Sequence, residues 1–194
     1  MSLTALLPSL DPALVTIICA IFLFAGVVKG FLGIGLPAAA MGLLTLVIPP
    51  TEAISLLWLP ILFTNIVQFG RAPERRSIAT SYIWFAVPLA ASIFLTSLFI
   101  NDYPTALLTV AIGSAMVIFS LNLLFGVTVP IGPSPVWQGA FGFVAGILGG
   151  LSSIWSPPVA MYLIARDTPK ERFIGAAGFL FLAGCAPLGI GLVM

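Results

Sequence analysis

Two stretches decide the reading of this chain: AGVVKGFLGIGLPAAAMGLLTLVIP, Ala25 to Pro49, and AGILGGLSSIWSPPVAMYLIARDTP, Ala145 to Pro169. They align without a gap at an offset of 120 (Ala25 to Ala145). The identical positions include the patterned glycines and prolines: Gly26/Gly146, Gly30/Gly150, Pro37/Pro157 and Pro49/Pro169, with Ala25/Ala145, Ile34/Ile154, Ala40/Ala160, Met41/Met161 and Leu43/Leu163. Each copy reads as an apolar helix, a break rich in small residues, and a short apolar helix opened by Pro. Paired, interrupted hydrophobic segments in two halves of a chain point to the binding site of a transporter.

Composition sets the surroundings. Hydrophobic residues make up 60% and charged residues 7% of the chain, and mean hydropathy is +1.21. A soluble domain carries about 25% charged residues. No charge occurs between Asp102 and Arg166. The apolar surface is therefore expected to face a lipid bilayer. Net charge is +1 with no basic stripe, so no nucleic-acid partner is expected. Histidine is absent, which removes His-based metal sites, Ser-His triads and His proton relays. No pair of carboxylates falls within an apolar run, and no G-x-x-x-x-G-K-[ST] loop is present. An enzyme is not expected, nor a cofactor or metal. Cys19 and Cys185 sit in apolar runs and read as packing residues. The run from Leu14 to Val28 lacks a basic flank and reads as a retained first membrane helix rather than a signal peptide.

Apolar runs divided by Pro, Gly and charge give eight segments: 12–29, 36–48, 52–70, 78–100, 103–125, 136–150, 156–166 and 172–193. A full crossing needs about 20 residues, and at least about 17. Segments 36–48, 136–150 and 156–166 fall short and are expected to be parts of broken helices. Placing the Arg71–Arg76 loop in the cytoplasm brings Lys29 and the Arg166–Arg172 loop to the same side. Asp11, Glu52 and Asp102 then fall on the other side, as the positive-inside rule requires. In this orientation 12–29 runs inward and 136–150 outward, so the two repeats are inverted. The expected fold is an all-α polytopic membrane protein of two inverted-topology repeats with broken and short helices. Residues 1–125 form the first repeat and 136–194 a second, shortened one.

A half-helix that starts inside a membrane presents unpaired N–H groups and a partial positive charge. Pro37 and Pro157 suit the first turns of two such helices. Gly33 and Gly35 in the first break, and Ser152, Ser153, Trp155 and Ser156 in the second, are candidate ligands for a small oxyanion. Asn65 and Gln68, on one face of segment 52–70, are candidate amide donors or polar links between helices; Asn122 is a further lone amide. Lys29 is expected to snorkel to the interface, with an anion-attracting charge at the inner mouth as the alternative. Gly26, Gly30, Gly142, Gly146 and Gly150 read as small-xxx-small packing. Trp58, Trp84 and Trp137 read as interface anchors or packing.

These residues resemble the sulfite exporter TauE/SafE family. The resemblance rests on G-F-L-G-I-G-L-P (Gly30–Pro37), on P-P-T-E-A-I (Pro49–Ile54) followed by Asn65, and on G-G-L-S-S-I-W-S-P-P (Gly149–Pro158) followed by R-D-T-P-K-E-R-F (Arg166–Phe173). It covers nearly the whole chain. It implies a multi-pass plasma-membrane secondary transporter that exports a small anion such as sulfite, an organosulfonate or a small carboxylate, by alternating access. Members often have a longer glycine run than Gly33-Ile34-Gly35-Leu36, and they usually continue for further helices. Counterparts of 78–100 and 103–125 would begin near position 198, so the second repeat is expected to be incomplete. A truncated reading frame, a divergent short member, or a half-complete subunit that forms a homodimer or joins a partner chain follows from that expectation. A non-transporting, partner-dependent subunit is the alternative function.

Overall fold

The computed structural model describes residues 11–125, 131–132 and 134–193, without the side chains at 119, 122 and 123; the candidate amide of Asn122 lies outside the described residues. Among these residues there are nine helices and no strand: α1 Pro12–Leu32, α2 Leu36–Leu44, α3 Pro50–Gly70, α4 Arg75–Ser81, α5 Ile83–Ser97, α6 Thr105–Phe125, α7 Pro135–Ser152, α8 Ser156–Ala165 and α9 Lys170–Val193.

Local chemistry sets the ends. Asp11 Oδ1 accepts the Ala13 N–H at 2.9 Å and Ser134 Oγ accepts that of Val136 at 3.2 Å, each just before a first-turn Pro. These caps satisfy N–H groups that a helix leaves open, and Pro has none to satisfy. α1 stops where Gly33 turns left-handed (φ 74°) and donates its N–H to the Lys29 carbonyl at 2.8 Å. α7 stops in the same way, with Ser153 at φ 56° donating to the Gly149 carbonyl at 2.8 Å. Gly33 and Ser153 are 120 residues apart, as are the first residues of α2 and α8 and those of α3 and α9. The two breaks share these positions but not every backbone angle: Gly35 has φ 97°, and its counterpart Trp155 has φ −107°.

α1, α3 and α9 are each long and apolar enough to cross a membrane, and α4 with α5 makes a fourth candidate as a bent pair. Several expected bounds differ: segment 12–29 runs on to Leu32 and segment 36–48 stops as a helix at Leu44. The run 78–100 is not one helix: it bends by 68° between α4 and α5, at Tyr82. Tyr82 leaves helical geometry there (φ −111°, ψ 15°), between the polar α4, RRSIATS, and the apolar α5. Segment 136–150 extends to Ser152, because Gly150, Leu151 and Ser152 stay helical before the left-handed turn.

The most extensive contact joins α5 and α7. A Cβ on Gly142 would meet the Phe85 carbonyl, one on Gly146 the Ser92 side chain and the Leu89 carbonyl, and one on Gly150 the Thr96 side chain. Ser92 Oγ also donates across the contact to the Phe143 carbonyl at 3.2 Å. The packing reading holds for these three glycines. It fails for Gly26 and Gly30, whose Cβ positions meet nothing within 4 Å and which line an open cavity instead. α9 packs against both α5 and α3, and Trp58 Nε1 donates to the Cys185 carbonyl at 2.7 Å. Trp58 is therefore a packing residue that ties α3 to α9.

Charged groups segregate along the bundle. Lys29, Arg71 and Lys170 share one cavity, Arg166 and Arg172 another, and Arg172 pairs with Glu74 at 3.4 Å. Arg75 and Arg76 begin α4 beside Glu74. Glu52 lies at the opposite end of α3, in a hollow with Leu14 and Asn101.

The α5–α7 contact makes a stability prediction. Gly146→Ala is expected to destabilise the protein by about 1–3 kcal/mol, the usual range for overpacking a tight contact. Gly26→Ala is expected to be neutral or to stabilise by up to about 1 kcal/mol, from helix propensity alone. Thermal melting of the two variants in one detergent checks the pair; equal effects would reject the difference in packing.

Candidate anion site

Lys29 lies in the last turn of α1. It does not extend to the interface as expected: it is 7% exposed, and its Nζ donates to Asn65 Oδ1 at 2.7 Å. Asn65 is fully buried, and its Nδ2 donates to the Ile61 carbonyl at 2.7 Å. That second bond orients the amide so that its oxygen faces Lys29. The ammonium also stands 5.5 Å from the centre of the Phe181 ring. It has three N–H donors, of which Asn65 takes one. Among the described residues no carboxylate pairs with it; the ion pair there is Arg172–Glu74. Removing an ammonium from water costs several kcal/mol. An amide dipole and an aromatic face offset only part of that cost.

The same lysine lines an open cavity of about 640 Å³, together with Gly33, Gln68, Arg71, Lys170 and Ile174. Three cations and no carboxylate border it. Gln68 Nε2 donates to the Ile174 carbonyl at 2.7 Å, so Gln68 both links α3 to α9 and borders the cavity. Gly33 has a conformational reason to be glycine, φ 74°, and a Cβ there would stand 3.0 Å from Ile174. Gly35, also left-handed at φ 97°, precedes α2 and faces Val28 rather than this cavity.

In the second break the serines divide by role. Ser152 Oγ donates to the Leu148 carbonyl at 2.5 Å and accepts the Ile154 N–H at 3.1 Å. Its hydroxyl is consumed in closing the helix end. Ser153, Trp155 and Ser156 are no more than 1% exposed, and Ser153 Oγ, Trp155 Nε1 and Ser156 Oγ have no hydrogen-bond partner. They are three of the four buried side-chain polar atoms among the described residues that lack one. An unpaired buried donor costs about 1–3 kcal/mol. Ser153 carries a second cost, because a non-glycine residue held left-handed is strained by about 1–3 kcal/mol. The first copy has Gly33 at the equivalent place.

Phe181 stands where the two groups approach. Lys29 lies over its ring, and the Trp155 indole meets it nearly edge-on, 5.9 Å between centres at 89°. No residue of the second break lines the Lys29 cavity. Phe181, Arg71 and Lys170 are absent from the sequence-based set of candidates. Phe181 is the counterpart of Ile61, an ordinary apolar position with no local signal, whereas Arg71 and Lys170 read there only as loop charges.

The arrangement offers N–H, O–H and cationic groups. Among the described residues there is no cluster of His, Cys, Asp or Glu fit to hold a metal ion. Such a donor-rich, carboxylate-free site suits an anion. Searches of curated proteins and of solved structures return no match. The family model described as Sulfite exporter TauE/SafE matches residues 18–194. The chain therefore belongs to the sulfite exporter TauE/SafE family, whose members are membrane transporters of sulfite- and sulfonate-type anions.

Proposed function

We propose that this chain is a plasma-membrane secondary transporter that exports a small anion such as sulfite, an organosulfonate or a small carboxylate, by alternating access between inverted repeats. The observation that carries this reading is Lys29: a buried ammonium with one amide partner and no carboxylate, at the wall of a cavity with two more cations. A substrate anion supplies the missing counter-charge. Arg71 and Lys170 raise the local anion concentration at the cavity mouth. Beyond Phe181, the free donors of Ser153, Trp155 and Ser156 form the next station. Phe181 separates the two stations in this conformation, and movement of α9 connects them. Asn65 holds the ammonium in place, Gly33 lets backbone approach the cavity, and Gly35 and Ser152 shape the two breaks.

The direct test is uptake of labelled sulfite, with a sulfonate and a small carboxylate in parallel, into liposomes holding the purified chain. Saturable uptake that Ser156→Trp abolishes is expected. No uptake of any of the three by well-folded protein rejects the reading. Lys29→Gln is expected to lower flux at low substrate by about ten- to a hundredfold, the range for a lost hydrogen bond to a charged group, with melting unchanged or raised. Flux equal to wild type would remove Lys29 from the path.

Ser153→Gly separates binding from folding. It relieves the left-handed strain and deletes an unpaired hydroxyl, so it is expected to raise stability by about 1 kcal/mol or more. Flux is expected to fall in the same protein. A lower melting temperature would instead make the hydroxyl a structural group.

A further inference from the structure

The basic end of the bundle holds a second hollow, of about 400 Å³, which shares no lining residue with the Lys29 cavity. Arg166, Arg172, Tyr82, Tyr162 and Thr168 border it, and no carboxylate does. The two guanidiniums are poorly compensated. Among the described residues Arg166 makes one long contact, 3.5 Å to the Ile131 carbonyl. Arg172 donates to Ser81 Oγ at 2.9 Å and to Ser77 Oγ at 3.4 Å, and pairs with Glu74 at 3.4 Å, an exposed pair of the kind that contributes little. Tyr82, only 8% exposed, and Thr168 bring further hydroxyl groups to its lining. Tyr162 is clamped by the rings of Phe85 and Phe141, at 5.4 and 5.7 Å between centres, beside Gln138. Gln138 in turn donates Nε2 to the Ser81 carbonyl at 3.0 Å. Thr168 and Pro169 lead directly into α9, a 24-residue helix whose positive end begins at Lys170.

Among the described residues, two guanidiniums and the hydroxyl-bearing Tyr82, Tyr162 and Thr168 line one hollow that no carboxylate borders. Forked donors match the paired oxygens of a tetrahedral oxyanion. We propose that this hollow is a second anion site, separate from the transport path, that takes a phosphate group. Its walls come from the α4–α5 bend at Tyr82, from α7, and from the α8–α9 junction, so a bound phosphate ties these elements together. The site does not depend on the role given to Lys29. Inorganic phosphate and the headgroup of phosphatidic acid present the same chemistry, one from solution and one from the membrane surface.

The test is thermal melting of the purified full chain in neutral detergent. Sodium phosphate is compared with sodium chloride at equal ionic strength, and phosphatidic acid with phosphatidylcholine in mixed micelles. Stabilisation by phosphate over chloride assigns a soluble ligand. Stabilisation by phosphatidic acid alone assigns a lipid headgroup. In either case Arg166→Gln is expected to weaken the apparent affinity at least about tenfold, and Arg166→Lys, which keeps the charge and loses the fork, by less. Tyr82→Phe, which removes one hydroxyl and no packing, is expected to weaken it several-fold, and serves if Arg166→Gln does not fold. Lys29→Gln is expected to leave it unchanged. No stabilisation by either phosphate source, wild-type affinity in both Arg166→Gln and Tyr82→Phe, or equal loss in Lys29→Gln overturns the proposal.

Discussion

A backbone that leaves its helix within a membrane has no water to turn to, so each freed N–H and carbonyl must find a partner inside the protein. Both breaks of this chain meet that constraint by the same device. The residue after the helix turns left-handed and returns its N–H to the carbonyl four residues earlier, Gly33 to Lys29 and Ser153 to Gly149. Ser152 adds its hydroxyl to the Ile154 N–H in the second copy. The breaks need walls, and the second has them on every side: from Ser152 through Ala160 every residue is buried.

Those walls exist because α5 and α7 meet without side chains between them. Gly142, Gly146 and Gly150 bring α7 against the carbonyls of α5, and α9 closes over both. Trp155 fills the space beside Gly149 and Gly184, where any Cβ would meet its ring. The two copies then diverge at the positions that matter. Where the first has Lys29, the second has Gly149, with the Trp155 indole packed against it. Where the first has Gly33 and Gly35, the second has Ser153 and Trp155. One copy contributes a charge beside an open cavity, the other buried neutral donors, and Phe181 stands against both Lys29 and Trp155.

Much of this was legible in the residues. The two breaks fall where the repeat places them, because glycine, proline and serine act through local backbone preferences that a sequence carries on its face. The collected cations at one end were legible from loop charges alone. Partners across helices were not. Nothing adjacent to Lys29 in sequence signals that Asn65 and Phe181 turn it inward, and nothing distinguishes Gly26 and Gly30, which face open space, from Gly146 and Gly150, which do not. The spacing is the same; only the neighbouring helix differs. The bend at Tyr82 was equally hidden, since apolar residues continue on its far side and the polarity of α4 lacks a Pro or Gly to mark it. Among the second-break serines, hydroxyl chemistry alone could not tell Ser152, which closes a helix end, from Ser153 and Ser156, which close nothing.

The buried ammonium of Lys29 also has an electrical consequence. A cation that keeps its proton and its place while an anion passes does not cancel the charge that moves. Under the proposed transport cycle, each turn would carry the full charge of the substrate through the membrane field, worth about 2.3 kcal/mol per elementary charge for every 100 mV. If the basic end faces a negative interior, as proposed, that field would favour outward movement of an anion, and dependence of flux on an imposed potassium diffusion potential is the signature to look for.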